Sequence, residues 1–307
     1  MGKSRGVRDI FGTEKAFSTP WVGSPKLNRL GLHGARIALT DGALSLRRLD
    51  IKLRGAPAEL ATLEREGVLI VPDFIPPEQF EATRAEAHRL RAEAAARRAE
   101  PSRTSTSGFG PKLPFEGGFD RFDGDTLNRF IDIDPASAPE LHQLVRSERL
   151  AHLCRAASAF PHQPHRFSLY LTAAGDEARN PDPQRVLHRD TFHSTIKLWL
   201  FLDDVTAQDG PFEYVHGSHR MNWARYRWEH QQARAAVATG SDGSFRIEAD
   251  ELAALGLPAP QAHPVRANTL VIADTRGFHR RGDGTPGATR LAVYANLRTR
   301  PFSPLAY

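Results

Sequence analysis

The feature that most restricts this chain is a run of short β-forming segments filling its C-terminal half. Arg166 to Thr172, Gln184 to Asp190, Thr195 to Leu202, Phe212 to Val215, Phe245 to Ile247, Ala262 to Val265, Thr269 to Ala273 and Leu291 to Leu297 carry many β-branched, aromatic and long apolar residues. Turn-rich stretches join them. Eight short strands connected in this way predict a sandwich or closed barrel rather than a helical bundle. The expected class is mainly β with helical additions, and 307 residues at 40% hydrophobic content suffice for a substantial core.

The preceding half is organised differently. Residues 1–55 mix glycine, basic residues and short apolar runs without clear periodicity, and are expected to be an extension of uncertain structure. The principal domain is expected over 56–307. It opens with a short helix ending near Gly67, the apolar strand Val68 to Val71, and a long helix from Pro77 on which Phe80, Thr83, Ala87, Leu90 and Ala94 form one packing stripe. The Ser-, Gly- and Pro-rich stretch 101–128 carries Phe109, Phe115, Phe119 and Phe122, which predicts a long loop pinned by aromatic anchors, open to use as a lid. One further helix is expected between about Ala138 and Ala159, and a helical insertion over about 220–237.

Several function classes lose support from composition. No apolar run approaches the ~20 residues of a membrane span, and Met1 to Gly6 lacks a signal core, so a cytoplasmic protein without membrane association is expected. The single Cys154 cannot form an internal disulfide. The net charge of +5 is scattered, without zinc-finger spacing, a basic helix or an aromatic RNA-binding signature, so no nucleic-acid partner is expected.

Chemistry concentrates at His188-Arg189-Asp190. At a strand end, alternate side chains share a face, so His188 and Asp190 project together while Arg189 points away. With His279 they would complete a facial triad of two histidines and one carboxylate, which leaves open positions on Fe(II) for a co-substrate and O2. Alone, the triplet is weak, because 13 histidines produce such spacings by chance. On the last strand, Leu291, Val293, Ala295 and Leu297 fall on one face, and Arg290, Ala292, Tyr294, Asn296 and Arg298 on the other. Arg290 could thus grip the distal carboxylate of 2-oxoglutarate bidentately, or serve as a structural ion pair.

Taken together, His188-Arg189-Asp190, the block from Gly210-Pro211-Phe212 to Gly217-Ser218-His219, and the pair His279 and Arg290 resemble the phytanoyl-CoA dioxygenase family of iron(II)/2-oxoglutarate oxygenases. The resemblance spans about Glu66 to Arg298. It implies a double-stranded β-helix (jelly roll, cupin-like) buttressed by N-terminal helices, Fe(II) on His188, Asp190 and His279, and 2-oxoglutarate held by Arg290. By position, Trp199 is similar to the family's aromatic residue beside 2-oxoglutarate, with an ordinary core tryptophan as the alternative. His216 departs from the family, which commonly has proline there, and His219 is read as structural. Related halogenases replace the carboxylate ligand with a small residue, so Asp190 favours hydroxylation of a C–H bond, with release of succinate and CO2.

The substrate is less legible. Arg276, Arg280 and Arg281 flank His279, and His193 and Lys197 follow Asp190. These residues fit either a cationic mouth for a small anionic substrate or ordinary solvated cations. The competing readings are a cupin-like metal-dependent isomerase or small-ligand jelly roll that uses the triad without Arg290, and a polyanion- or protein-binding role for the basic surface.

Overall fold

Alternation along the central strands sorts their side chains between two environments, and those two environments define the layers of the molecule. The structure is a computed structural model that describes residues 6–97, 111–160, 167–297 and 299–305. After a turn of 3-10 helix, Gly6–Asp9, come the helices α1 (Pro25–Arg29), α2 (Leu32–Leu53) and α3 (Glu59–Glu66), strand β1 (Val68–Val71) and helix α4 (Pro77–Ala95). There follow β2 (Leu113–Phe115), β3 (Gly118–Asp123), β4 (Thr126–Asp132), α5 (Pro139–Val145) and α6 (Glu148–Ser158). The remaining elements are β5 (Phe167–Ala173), β6 (His188–Arg189), β7 (Ile196–Phe201), β8 (Phe212–Tyr214), α7 (Trp223–Thr239), β9 (Phe245–Arg246), α8 (Ala249–Ala254), β10 (Gln261–His263), β11 (Thr269–Asp274), β12 (His279–Arg281) and β13 (Thr289–Leu297).

Two antiparallel sheets result. The larger has the order β1-β11-β7-β13-β5-β4-β3-β2, the smaller β10-β8-β12-β6-β9. From β5 to β8, and again from β10 to β13, the chain crosses between the sheets, giving the jelly-roll winding of a double-stranded β-helix. Leu169, Leu171, Leu198, Leu200, Leu270, Ile272, Leu291 and Val293 turn outward from the large sheet, where α3 to α6 cover them with Leu63, Phe80, Leu90, Leu141 and Leu150. Each such buried side chain contributes roughly 1.5–3 kcal/mol. The opposite face of the same strands looks toward the smaller sheet, so Trp199, Phe201, Val271 and Ala292 meet Phe212 and Tyr214 there. The outer side of the small sheet packs on α7 and α8 through Val215, Phe278, Trp228 and Leu252.

Several expectations need correction. The stretch 101–128 is not one long loop: β2, β3 and β4 form a meander extending the large sheet, while Phe109 lies outside the described residues. Arg129 ties this meander to α4, pairing through Nε and Nη2 with buried Asp120 at 2.7 Å and donating from Nη1 to the Ala94 carbonyl and from Nη2 to that of Arg97. The strand expected over Gln184 to Asp190 is a turn of 3-10 helix, Pro183–Arg185, followed by only two strand residues. Arg146 and Ser147 divide the helix expected over 138–159, with Ser147 capping α6 through Leu150 N–H. The extension 1–55 contains the 22-residue α2, which packs on α7. No helix of the described residues is long and apolar enough to cross a membrane.

Candidate metal centre

Register brings the two distant histidines together. β6 and β12 are antiparallel neighbours in which His188 and His279 are direct partners, with ring centroids 4.6 Å apart. Asp190, just past β6, is anchored by its backbone N–H to the Thr275 carbonyl at 2.9 Å. One carboxylate oxygen, Oδ1, lies 3.8 Å from Nε2 of each histidine, and the three ligand atoms fall within 4.8 Å of one another. Close approach of chain segments fixes the start of β12: a Cβ on Gly277 would stand 1.9 Å from the Tyr214 hydroxyl, which itself donates to the Asp274 carbonyl.

The hydrogen bonds around the triad select the ligating atoms. His188 Nδ1 donates to the Val186 carbonyl at 2.7 Å, and His279 Nδ1 to the Gly277 carbonyl at 2.9 Å. Both Nε2 lone pairs therefore face Asp190, and among the described residues the buried His188 Nε2 has no hydrogen-bond partner. An unpartnered buried nitrogen beside a carboxylate and a second imidazole fits a divalent cation with nitrogen and oxygen ligands. Burial, followed by the neighbouring His279, pushes the His188 imidazole down to about 3. Burial opposes the charge on Asp190, but Lys197 and the two imidazoles outweigh it and hold the carboxyl well below its usual range. All three side chains are thus in their ligating forms at neutral pH.

The triad opens into a cavity of about 520 Å³. Its wall on the large sheet is the inward face of β13 (Arg290, Ala292, Tyr294 and Asn296) with Lys197, Trp199 and Phe201 of β7. Trp199 is the cross-strand partner of Tyr294 and also packs on Phe212, with ring centroids 5.1 Å apart. Tyr170 adds its ring 5.2 Å from Tyr294. Among the described residues, the Arg290 guanidinium makes no hydrogen bond or ion pair. Burial and then neighbouring Arg281 lower it to about 10, so it remains a cation at neutral pH.

Four other cations around the triad are engaged with carboxylates. Arg276 pairs with Asp41, Arg280 with Glu213 at 2.7 Å, Arg281 with Asp182, and Lys197 Nζ with Asp190 Oδ2 at 2.6 Å. Of the two readings that the sequence left open, a cationic mouth is therefore largely neutralised, and these cations are paired with carboxylates. His193 is buried with its Nδ1 toward the Ser194 carbonyl. His219 lies away from this cavity, where its Nε2 meets the Glu64 carbonyl at 3.1 Å. Arg298 lies outside the described residues. Sequence reasoning missed the roles of Tyr170, Thr13 and Lys15 in the wall, because no local pattern ties them to the triad.

Buried imidazoles also set an acid sensitivity. His188 titrates near 3, while His193, His219 and His263 are pushed down by burial to about 4. The unfolded chain protonates its imidazoles near ~6.5, so below that pH it binds more protons than the folded chain and stability falls through the range down to about 4. The urea midpoint of the metal-free protein is expected to be lower at pH 5 than at pH 7.5. Equal midpoints would exclude these buried neutral histidines.

A family model described as phytanoyl-CoA dioxygenase (PhyH) matches residues 63–251. That span holds His188 and Asp190 and ends before His279 and Arg290. Among solved structures, the chain is similar to the non-haem α-ketoglutarate-dependent epimerase SnoN from nogalamycin biosynthesis, at 18% identity and TM-score 0.48 over 78% of this chain and 80% of that one. It is similar to AviO1 from Streptomyces viridochromogenes Tue57 at 21% identity and TM-score 0.48, covering 78% and 92% of the two chains. HygX from Streptomyces hygroscopicus, with nickel, 2-oxoglutarate and hygromycin B bound, aligns at 17% identity and TM-score 0.44 over 78% and 85%. No curated protein sequence matches the chain.

Proposed function

The chain belongs to the phytanoyl-CoA dioxygenase family of iron(II)/2-oxoglutarate oxygenases, and from that premise we propose that it oxidises a C–H bond of a small organic molecule by hydroxylation, converting 2-oxoglutarate to succinate and CO2. The observation that carries this reading is the joint presence, in one cavity, of the triad His188, Asp190 and His279 and the cation Arg290, unengaged among the described residues. Bound iron would supply the coordination positions at which the keto acid and O2 meet. A cupin-like isomerase needs no such cation opposite the metal.

The remaining work belongs to the chain. Arg290 would take the distal carboxylate of 2-oxoglutarate in a bidentate pair, replacing the solvation that burial removed. Trp199, Tyr294 and Phe212 would flank the co-substrate and keep water from it. Lys197 holds Asp190 Oδ2, which leaves Oδ1 directed at the two imidazoles. Asp190 itself fills the position that a halogenase would leave open, in favour of hydroxylation. The substrate is expected to be recognised by shape and hydrogen bonding more than by charge, since most cations of the mouth already have carboxylate partners.

Anaerobic addition of Fe(II) and 2-oxoglutarate is expected to produce a visible charge-transfer band. A folded protein that gives none would overturn the assignment. Arg290→Ala should retain metal binding but raise the 2-oxoglutarate concentration for half-maximal band roughly 10–100-fold, the worth of a charge-assisted hydrogen bond of ~1.5–3 kcal/mol. An unchanged titration would assign Arg290 another role. With substrate in hand, mass analysis separates hydroxylation, a gain of one oxygen, from epimerisation or ring closure.

A further inference from the structure

The segment before α1 lies outside the span matched by the family, yet it reaches the metal centre. Arg36 of α2, 1% exposed, gathers it: Nε donates to the Ile10 carbonyl at 2.8 Å, and Nη2 to the carbonyls of Asp9, Gly12 and Glu14. The same guanidinium sits 4.0 Å above the ring of Phe192, two residues beyond Asp190. Further along, Phe17 N–H donates to the Ser241 carbonyl at 2.8 Å, and its ring stacks on Phe245 of β9 at 5.7 Å. Between these two anchors the chain has little freedom. Gly243, at φ 80°, passes so near that a Cβ there would stand 2.1 Å from the Lys15 carbonyl.

This path delivers Lys15 to one place. Its Nζ donates to the backbone carbonyl of Asp190 at 2.8 Å and to Ser244 Oγ, and Ser244 Oγ also contacts the Asp190 carbonyl at 3.3 Å. Thr13 and Lys15 line the cavity that the triad opens into, alongside Asp242. The backbone at Asp190 is thus held from two directions: Thr275 accepts its N–H, and Lys15 donates to its carbonyl. A main chain fixed at both groups orients the carboxylate it carries.

We propose that residues 6–24 form a fixed strap across the metal centre, in which Lys15 is a positioning residue for Asp190 and, with Thr13, one wall of the substrate space. The inference rests on the iron/2-oxoglutarate reading of the triad, and goes beyond it by including a segment the family match does not contain.

The test uses the full chain and Co(II) as the probe, with the dissociation constant measured by chelator competition and the melting temperature of the metal-free protein measured in parallel. Lys15→Met keeps the aliphatic stem and removes the donor. It is expected to weaken Co(II) binding about tenfold, the lower end of what loss of a ligand's hydrogen-bonded support costs, while melting within about 2 °C of wild type. Lys15→Arg should restore most of the affinity. Wild-type affinity in Lys15→Met would overturn the strap's positioning role, as would a loss that follows the melting temperature and recurs equally in Phe17→Ala. If Lys15→Met does not fold, Ser244→Ala removes the second contact, with several-fold weaker Co(II) expected and unchanged affinity counting against the proposal. Failure of the wild type to bind Co(II) would instead overturn the metal-centre reading on which the proposal stands.

Discussion

His279→Ala is expected to lose the Fe(II)/2-oxoglutarate charge-transfer band and to reduce succinate formation by more than the roughly 10–100-fold that accompanies loss of a ligand's hydrogen-bond partner alone. His279 supplies one of the three ligand atoms brought together in the cavity among the described residues, and its Nε2 lies 3.8 Å from Asp190 Oδ1. The substitution also removes the Nδ1 donor to the Gly277 carbonyl, but the β12 backbone keeps its pairing with β6 and β8. The fold should therefore survive, with some loss from the cavity left behind. Circular dichroism gives the fold check and anaerobic titration the metal readout. A folded variant with a wild-type band would remove His279 from the ligand set.

The fold and the site were legible to different depths. The α4 stripe of Phe80, Thr83, Ala87, Leu90 and Ala94 could be read directly, since a helix buries one face at regular spacing. The two faces of β13 could be read for the same reason: Leu291, Val293 and Leu297 pack outward while Arg290, Tyr294 and Asn296 line the cavity. Between β3 and β4 the chain turns through Gly124 and Asp125, with Asp123 paired to Thr126. That tight-turn signal was present, but the surrounding glycine and proline read as a loop. The pairing of His188 with His279 is a matter of register between strands distant in sequence, which no local pattern encodes.

Partners of the cations were hidden for the same reason. Arg276, Arg280 and Arg281 look alike in sequence, yet Asp41, Glu213 and Asp182 reach them from three separate segments. Lys15 lies 175 positions from Asp190, and only the course of the strap past Gly243 brings them into contact. Burial and charge pairing are three-dimensional quantities, so a sequence supplies candidates and the fold decides which of them remain available.

Arg189, between the ligands His188 and Asp190, carries the other large expected effect. Arg189 points away from the cavity and is fully buried, where Glu229 of α7 accepts from its Nε at 3.0 Å and its Nη2 at 2.7 Å. The same carboxylate accepts from Arg225 Nη2 at 3.1 Å and from His33 Nε2 of α2 at 2.9 Å. Burial works against the charge of Glu229, but Arg189, His33 and Arg225 together hold it well below its usual range. Removing the carboxylate would leave two guanidinium groups buried without their counter-ion, a loss of about 3–5 kcal/mol. Glu229→Ala should thus lower the urea midpoint sharply, and Glu229→Gln less so, since the amide retains one acceptor oxygen. Because Arg189 lies between His188 and Asp190, the remaining folded fraction should also bind Co(II) more weakly than wild type. A Glu229→Ala protein within about 1 kcal/mol of wild type would show that Arg189 and Arg225 find other acceptors, and that the strand bearing the ligands is held by its backbone pairing alone.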